Sequence, residues 1–165
     1  MKNNCKVNTS LSLIEAVEFR EKIRAEGKRF VLTNGCFDLI HAGHVYSLNE
    51  SRKLGDCLWV AINSDKSIAK LKGDHRPILS EVDRAYMLNN LNSVSGVTIF
   101  NSLRLVNEII ELKPDIYVKS GDYNLSNLDK EEHKALISIN AKIHFVPFLD
   151  GYSTSSIVEK IKREM

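Results

Sequence analysis

Cysteine is scarce in this chain, and the residues that occur do not suggest a shared structural role. Cys5, Cys36 and Cys57 are odd in number and widely spaced along 165 residues. This distribution argues against a disulfide framework and offers no paired spacing for a protein-bound metal. We therefore expect reduced thiols. Cys36 as a nucleophile is the less favoured alternative, because no motif places a base beside it.

The sequence also lacks an excess of charge of one sign and a long apolar run. Its 23 Lys and Arg residues nearly balance its 21 Asp and Glu residues, which leaves a formal net charge of +2. This balance gives no reason to expect nucleic acid or an anionic membrane as a partner. No apolar stretch approaches a membrane span and no signal-peptide core follows the first residues, so we expect a cytoplasmic protein.

What the sequence does contain is the alternating pattern of an α/β protein. Strand-like runs at about 29–33, 57–62, 96–100, 115–118 and 142–146 alternate with helical patterns at about 11–27, 43–54, 65–71, 80–91, 102–112, 130–139 and 153–163. This alternation predicts a five-stranded parallel sheet with helices on both faces. The length fits a single domain over residues 1–165, with an N-terminal helical extension at 1–28 and a core at 29–165.

Several element boundaries carry local signals. Ser80, Asn101 and Ser153 are predicted N-caps, and Pro114 is expected to end the helix before it. Two polar segments, 71–80 and 123–129, are expected to be mobile loops.

The segment from Thr33 to His44 is the most informative part of the chain. An apolar strand runs into a glycine-containing turn and then into an amphipathic helix. The first N–H groups of such a helix have no partner within it and are suited to bind phosphate. His41 and His44 lie three residues apart at the helix start, so their side chains can approach the same ligand. A nucleoside triphosphate is the ligand that this arrangement suits best.

These residues resemble the HxGH nucleotidyltransferase superfamily, which is cytidylyltransferase-like and joins a nucleoside triphosphate to an acceptor with release of pyrophosphate. Within it, the chain is most similar to the adenylyltransferases of ADP-heptose synthesis. The similarity rests on motifs in the same order: Thr33 to His44, Asn63-Ser64-Asp65, Leu71-Lys72-Gly73-Asp74, Arg76-Pro77, Val118 to Tyr123 and Asp150 to Ile157. It implies a single Rossmann-like domain with a catalytic core at 29–165. It also implies transfer of AMP from ATP to D-glycero-manno-heptose 1-phosphate, a step toward lipopolysaccharide.

The resemblance implies roles for individual residues. His41, His44 and Lys72 would be catalytic, since phosphoryl chemistry of this kind needs donors and cations more than a covalent nucleophile. The nucleotide would contact Asn34, Gly35, Cys36, Phe37, His41, His44, Lys119, Gly121, Asp122, Ser153, Thr154 and Ser155. The acceptor would contact Asp38, Asn63, Asp65, Lys72 and Arg76. Arg84 is a weaker candidate for the phosphates, and whether Lys160 replaces a basic residue that many relatives carry in the last helix stays open.

Each role has a simpler alternative. The two histidines could bind zinc or cap the helix, although zinc needs a third ligand and usually a His-Glu-x-x-His pattern. Without the family motif, the loop around Lys72 reads as an ordinary solvated charge cluster. Gly121 and Asp122 could form a plain turn, and Asp38 and Asp65 could satisfy backbone donors.

The implied substrates bring their own cofactor and partners. Mg²⁺ would be carried mainly by the nucleotide phosphates, because the sequence shows no dedicated carboxylate cluster. The expected partners are ATP and a sugar phosphate, a second copy of the chain in a homo-oligomer such as a dimer, and a separate kinase and phosphatase upstream. Two alternatives remain open at this point: a glycerol-3-phosphate cytidylyltransferase-like enzyme that uses CTP, and a non-catalytic nucleotide-binding or assembly protein.

Overall fold

A computed structural model of the chain describes residues 10–147, 149 and 151–164. The helices are α1 (Leu13–Ala25), α2 (Ala42–Arg52), α3 (Asp65–Lys72), α4 (Glu81–Asn89), α5 (Val106–Leu112), α6 (Lys130–Ser138) and α7 (Thr154–Glu164). The strands are β1 (Phe30–Gly35), β2 (Cys57–Asn63), β3 (Gly96–Phe100), β4 (Ile116–Ser120) and β5 (Lys142–Val146). Cys5 and Asp150, which the sequence analysis named, lie outside the described residues.

The five strands form one parallel sheet in the order β3-β2-β1-β4-β5. The chain therefore leaves β1 in one direction toward β2 and β3, and later returns to its other side with β4 and β5. In open sheets of this kind, ligands bind beyond the carboxyl end of the strand where the order reverses. Here that strand is β1, which leads directly into the motif from Thr33 to His44.

Helices cover both faces of the sheet, as the alternating pattern predicted. Side chains along β2 alternate between the faces, with Trp59 in one apolar cluster and Leu58 and Val60 in the other. The Trp59 cluster includes residues of α1, α5 and α6, and the second cluster includes residues of α2 and α4. The predicted fold class is confirmed: one α/β domain with a five-stranded parallel sheet.

Most predicted boundaries agree with the structure, and one does not. Ser80 and Ser153 act as N-caps, because their hydroxyl oxygens accept hydrogen bonds from the N–H groups of Asp83 and Ser156 at 3.2 and 3.0 Å. The prediction that Asn101 caps a helix over 102–112 is wrong. That helix, α5, begins at Val106 after an N-cap residue whose side chain makes no capping hydrogen bond.

The late start of α5 has a tertiary cause. The Ser102 hydroxyl donates to the Arg104 carbonyl at 2.7 Å, and the Ser102 carbonyl accepts a hydrogen bond from Ser67 of α3 at 2.8 Å. The N–H of Leu105 then donates to Glu132 Oε1 of α6 at 3.0 Å. The cap of α5 thus comes from a distant helix, which no local signal could reveal.

Candidate active site

A cavity of about 890 Å³ opens beyond the carboxyl ends of β1 and β4. It lies at the reversal of strand order, where the topology places a ligand. The lining residues come from the β1–α2 segment, the end of α3, the segments after β3 and β4, α6, and the start of α7. Of the residues predicted for the site, the cavity is lined by Asn34, Gly35, Cys36, Phe37, Asp38, His41, His44, Asn63, Lys72, Lys119, Ser153, Thr154 and Ser155.

The two histidines of the motif form a stacked pair at the start of α2. Their ring centroids are 3.8 Å apart with an interplanar angle of 23°, and Phe37 packs against His44 at 5.0 Å. Gly43 makes this arrangement possible, because a Cβ there would lie 3.0 Å from His41 Nδ1 and 3.1 Å from Tyr152 Cβ. The motif glycine therefore lets the α7 side of the cavity approach the histidine pair.

The fold favours neutral forms of both rings. Burial lowers the pKa of His41, and burial together with the neighbouring His41 ring lowers the pKa of His44 to about 4. Both Nδ1 atoms are buried without a hydrogen-bond partner among the described residues. A buried N–H with no acceptor is costly, so the neutral His41 ring favours a proton on Nε2. A neutral imidazole carries one N–H group, so it can donate a hydrogen bond without carrying a charge.

Two helix N-termini face the cavity together. His41 is the N-cap residue of α2 and makes no side-chain capping bond, and the first turn of α2 contains no acidic residue. The first turn of α7 also lacks acidic residues, and Ser153, Thr154 and Ser155 line the cavity there. Unpaired N–H groups and the positive ends of two helix dipoles both favour bound anions.

Lys72 adds a cation at the edge of this anion-binding region. It is the last residue of α3, it is exposed, and it lines the cavity together with Leu71. Gly73 follows with a φ of 91°, a left-handed conformation in which a side chain would be strained. The chain thus turns sharply after Lys72 and leaves its long side chain beside the cavity.

Both carboxylate oxygens of Asp38 accept hydrogen bonds from other parts of the protein. One oxygen accepts hydrogen bonds from the N–H groups of Ile78 and Leu79 at 2.6 and 3.2 Å, and the other pairs with Arg76 at 2.6 Å. Burial alone would raise the pKa of Asp38, but the hydrogen bonds from Arg76, Leu79 and Ile78 outweigh it and the pKa is lowered. In this structure Asp38 and Arg76 anchor the loop between α3 and α4, and Arg76 does not line the cavity.

Asp65 and Arg84 form a second internal anchor. The Arg84 side chain is fully buried and donates to the carbonyls of Cys36 and Asn63 at 2.5 and 2.8 Å and to Asp65 at 2.8 Å. Arg84 therefore ties α4 to the carboxyl ends of β1 and β2, and neither it nor Asp65 lines the cavity. Asn63 does line it, with its amide held by a 3.0 Å bond to Ser67.

Lys119 lies at the base of the cavity in a buried polar network. Its Nζ donates to Asn34 Oδ1 at 2.8 Å, to the Tyr117 hydroxyl at 2.9 Å and to Glu132 Oε2 at 3.1 Å. Sequence reasoning missed Tyr117 and Glu132. Tyr117 and Lys119 are two residues apart on β4 and so share a face, which is a usable signal. Glu132 looked like an ordinary acidic residue of the first turn of α6.

The remaining wall comes from the segments that precede α5 and α6, and of its residues the sequence analysis named only Tyr123. Arg104 pairs with Asp129 at 2.7 Å, and both line the cavity with Tyr123 and Asn127. Gly121 and Asp122 of the predicted nucleotide site are not lining residues. Their backbone atoms bond to Val146 and Asn127 and so shape the turn beside the cavity.

A dedicated metal site is not apparent in the described part of the chain. No group of three or more His, Cys, Asp or Glu side chains there could hold a metal ion. A magnesium ion that enters on nucleotide phosphates needs no such group, because phosphate oxygens and water complete its octahedral shell. Within the same residues, no helix is both long and apolar enough to cross a membrane.

Comparison with known proteins agrees with this geometry. A family model described as cytidylyltransferase-like matches residues 32–160, which contain most of β1, the strands β2 to β5 and all the residues that line the cavity. The chain belongs to the cytidylyltransferase-like family. The family and the nucleotidyltransferase type predicted from the motifs are thereby confirmed.

Two bifunctional proteins are similar to this chain over most of its length. The chain is 45% identical over 143 residues to the bifunctional protein HldE of Helicobacter pylori strain J99. The alignment covers 87% of this chain and 30% of that protein. The chain is 43% identical over 138 residues to HldE of Geobacter sulfurreducens, with 84% and 28% covered. The chain therefore spans about 30% of the length of these relatives.

A solved structure is also similar. The crystal structure of the lipopolysaccharide core biosynthesis protein from Thermoplasma volcanium GSS1 aligns with a TM-score of 0.61 and 29% identity. The alignment covers 77% of this chain and all of the other.

Proposed function

We propose that this cytidylyltransferase-like chain transfers AMP from ATP to a sugar 1-phosphate and releases pyrophosphate. One observation carries the proposal: two helix N-termini, two neutral histidines and a lysine converge on one cavity at the reversal of strand order. Each of these groups binds phosphate oxygens, and together they can contact a triphosphate along its length.

The reaction is an in-line displacement at the α-phosphorus of ATP. An oxygen of the sugar phosphate forms the new bond to the α-phosphorus, while the bond to the β-phosphate bridging oxygen breaks and its electron pair leaves with pyrophosphate. Negative charge builds on the non-bridging oxygens of the α-phosphate. Groups that are already oriented toward that charge provide most of the catalysis in such reactions.

We assign a role in this reaction to each residue from its position in the cavity. His41 and His44 would donate Nε2–H groups to the α- and β-phosphates, where a neutral donor gains strength as charge develops. Thr154 and Ser155 at the start of α7 would hold the departing pyrophosphate. Lys72, on its sharp turn after α3, would reach the reacting phosphate from the other side. Magnesium would enter as part of the MgATP substrate.

The acceptor proposed is D-glycero-manno-heptose 1-phosphate. The support is the pair of segments from Lys72 to Pro77 and from Lys119 to Tyr123, which resemble those of ADP-heptose adenylyltransferases. The similarity to a lipopolysaccharide core biosynthesis protein points to the same class of product. Asp38 and Arg76 would serve this acceptor by holding the loop in place, while Asn63 and Lys72 face the cavity.

The proposal also includes the upstream enzymes, the oligomeric state and the cellular location. Relatives called bifunctional are about three times as long as this chain, so a second activity would reside outside the matched region. We propose that a separate kinase and a phosphatase supply the heptose 1-phosphate. We also propose that the enzyme is a homo-oligomer, such as a dimer, and that it acts in the cytoplasm, where ATP is available.

A substrate screen tests the proposal. ATP, CTP, GTP and UTP are each combined with manno-heptose 1-phosphate, glucose 1-phosphate or glycerol 3-phosphate, and pyrophosphate release is measured with and without Mg²⁺. The expected result is Mg²⁺-dependent release with ATP and the heptose phosphate, and little with CTP and glycerol 3-phosphate. Robust turnover of CTP and glycerol 3-phosphate alone would contradict the heptose assignment and favour the cytidylyltransferase alternative. No release with any pair would favour the non-catalytic alternative.

A further inference from the structure

Lys119 lies in a buried polar network that also holds the side chain of Asn34. Lys119 and Glu132 are 12% and 3% exposed at their side chains and form an ion pair at 3.1 Å. Tyr117 is fully buried beside them, and its hydroxyl lies 2.9 Å from Asn34 Oδ1 and 3.1 Å from Glu132 Oε2. Four polar side chains from β1, β4 and α6 are thus joined in one hydrogen-bond network.

The donors of this network are fully used. An ammonium group has three N–H bonds, and Lys119 directs them at Asn34, Tyr117 and Glu132. Lys119 therefore has no N–H left for a nucleotide or a sugar phosphate. Burial and the nearby Glu132 carboxylate raise the pKa of Tyr117 well above its ordinary value, so the phenol also stays a donor.

This arrangement permits only one orientation of the Asn34 amide. The group that faces Lys119 and the Tyr117 hydroxyl must be an acceptor, which is the amide oxygen. If the amide were flipped, its NH₂ group would face the Lys119 ammonium, which carries a positive charge and has no lone pair to accept a hydrogen bond. With Oδ1 fixed, Nδ2 makes no hydrogen bond among the residues described and is not one of their buried unpaired atoms, so we infer that it is open to the cavity that Asn34 lines.

We propose that Asn34 Nδ2 is a substrate-binding donor whose orientation is set by Lys119 and Glu132 acting as positioning residues. The group recognised is an oxygen that accepts a hydrogen bond, from a phosphate or a hydroxyl of either substrate. Glu132 also accepts the N–H of Leu105 at the start of α5. The inference rests on the proposed nucleotidyl transfer, and it assigns Lys119 a role through Asn34 in place of direct contact.

Asn34→Asp is the central test, because aspartate keeps the shape and the acceptor oxygen but has no NH₂ group. Its added negative charge is balanced in the double variant Asn34→Asp with Glu132→Gln, which restores the net charge of the network. The glutamine can still accept the Leu105 N–H. Glu131→Gln, the same change one residue earlier on an exposed position of α6, is the matched control.

The variants are compared by kcat and KM for each substrate and by calorimetric Kd for MgATP and for the sugar phosphate, with Tm as a check on folding. We expect the single and double variants to keep their Tm within a few degrees and to lose at least about tenfold in kcat/KM or Kd for one substrate. The substrate affected identifies the source of the oxygen. Glu131→Gln should match the wild type.

Two results would overturn the inference. The first is that Asn34→Asp stays within about twofold of the wild type in kcat, KM and Kd for both substrates. The second is that the double variant recovers the wild-type values, which would show that the loss came only from the added charge. An inactive wild-type protein would instead refute the proposed transfer reaction. The Kd values would then still decide the role of Asn34, since they do not depend on turnover.

Discussion

At the scale of single residues, the cavity depends on polar groups whose charge and direction are set by their surroundings. His44 is held neutral by burial and by His41, and the amide oxygen of Asn34 accepts a hydrogen bond from Lys119, which is paired with Glu132. Such side chains contribute through fixed hydrogen bonds, which cost little reorganisation when charge develops on a reacting phosphate.

The role of His44 can be tested by removing its ring. We expect His44→Ala to keep its fold and to lose at least about 100-fold in turnover, because a donor to the developing charge is removed. Steady-state pyrophosphate release, with circular dichroism as a check on structure, measures this. His144→Ala, an exposed histidine on β5 outside the cavity, is the control and should stay at the wild-type rate. A loss below about threefold for His44→Ala would contradict the assignment.

The pKa of His44 also predicts how stability depends on pH. In the unfolded chain its pKa is near the ordinary 6.5, whereas in the fold it is about 4. As the pH falls below 6.5 the unfolded state binds the proton first, so the native state loses stability until about pH 4. From pH 7 to pH 5 this amounts to about 2 kcal/mol, a loss that His44→Gln should not show. Urea unfolding at both pH values gives the comparison, and equal losses in the two proteins would refute the buried, neutral ring.

For Asp38, the sequence motif identified an important residue but did not predict which groups its carboxylate contacts. Its place beside the phosphate-binding turn suggested an acceptor ligand, yet both oxygens bond to the α3–α4 loop. Partners that lie about forty residues away along the chain leave no local signal. The same is true of Glu132, which the sequence presents only as an acidic residue near a helix start.

Replacing Asp38 tests its anchoring role. Asp38→Ala leaves Arg76 and two backbone N–H groups without their acceptor, and we expect a loss of about 3 kcal/mol in the free energy of unfolding. Urea denaturation measures it. Asp74→Ala removes an exposed carboxylate from the same loop and should change stability by less than about 0.5 kcal/mol. If the two variants are equally stable, Asp38 does not anchor the loop.

At the scale of elements, the sequence predicted what depends on local pattern and missed what depends on contact between elements. The strand–turn–helix unit from β1 to α2 follows from its apolar run, its glycines and its histidines. The caps Ser80 and Ser153 were also readable, because each serine bonds within its own first turn. The start of α5 was not, since its cap is supplied by α6.

The end of α3 carries an element-scale prediction. Lys72 sits where α3 gives way to a sharp glycine turn, so a small motion of this turn would move its ammonium over the reacting phosphate. We expect Lys72→Ala to reduce kcat far more than it weakens ATP binding, and Lys72→Arg to restore activity only in part, since a planar guanidinium differs from a compact charge. Stopped-flow turnover and calorimetric ATP binding separate the two effects.

Lys70→Ala serves as the matched control for this prediction. Lys70 is exposed on the same last turn of α3 and does not line the cavity. Its removal changes the net charge by the same amount and should leave both kcat and ATP affinity unchanged. Equal kinetics for Lys72→Ala and Lys70→Ala would instead support the alternative that the loop is an ordinary solvated charge cluster.

At the scale of the whole molecule, the fold was the most predictable feature. Alternating strands and helices leave few topologies, and a parallel sheet with its order reversed at β1 brings distant motifs to one edge. Together with the family resemblance, this is why the histidines after β1, the lysine at the end of α3 and the hydroxyl residues at the start of α7 could be assigned to one cavity without a structure. Arg104, Asn127 and Asp129, which also line the cavity, could not be assigned, because they belong to none of the motifs.

The position of bond cleavage in ATP tests the central claim of nucleotidyl transfer most directly. The protein is incubated with Mg²⁺, manno-heptose 1-phosphate and ATP labelled at either the α- or the γ-phosphorus, and the products are separated. We predict that the α-label appears in a nucleotide sugar and the γ-label in pyrophosphate. Transfer of the γ-label to the sugar phosphate, or its release as orthophosphate with ADP, would contradict the account.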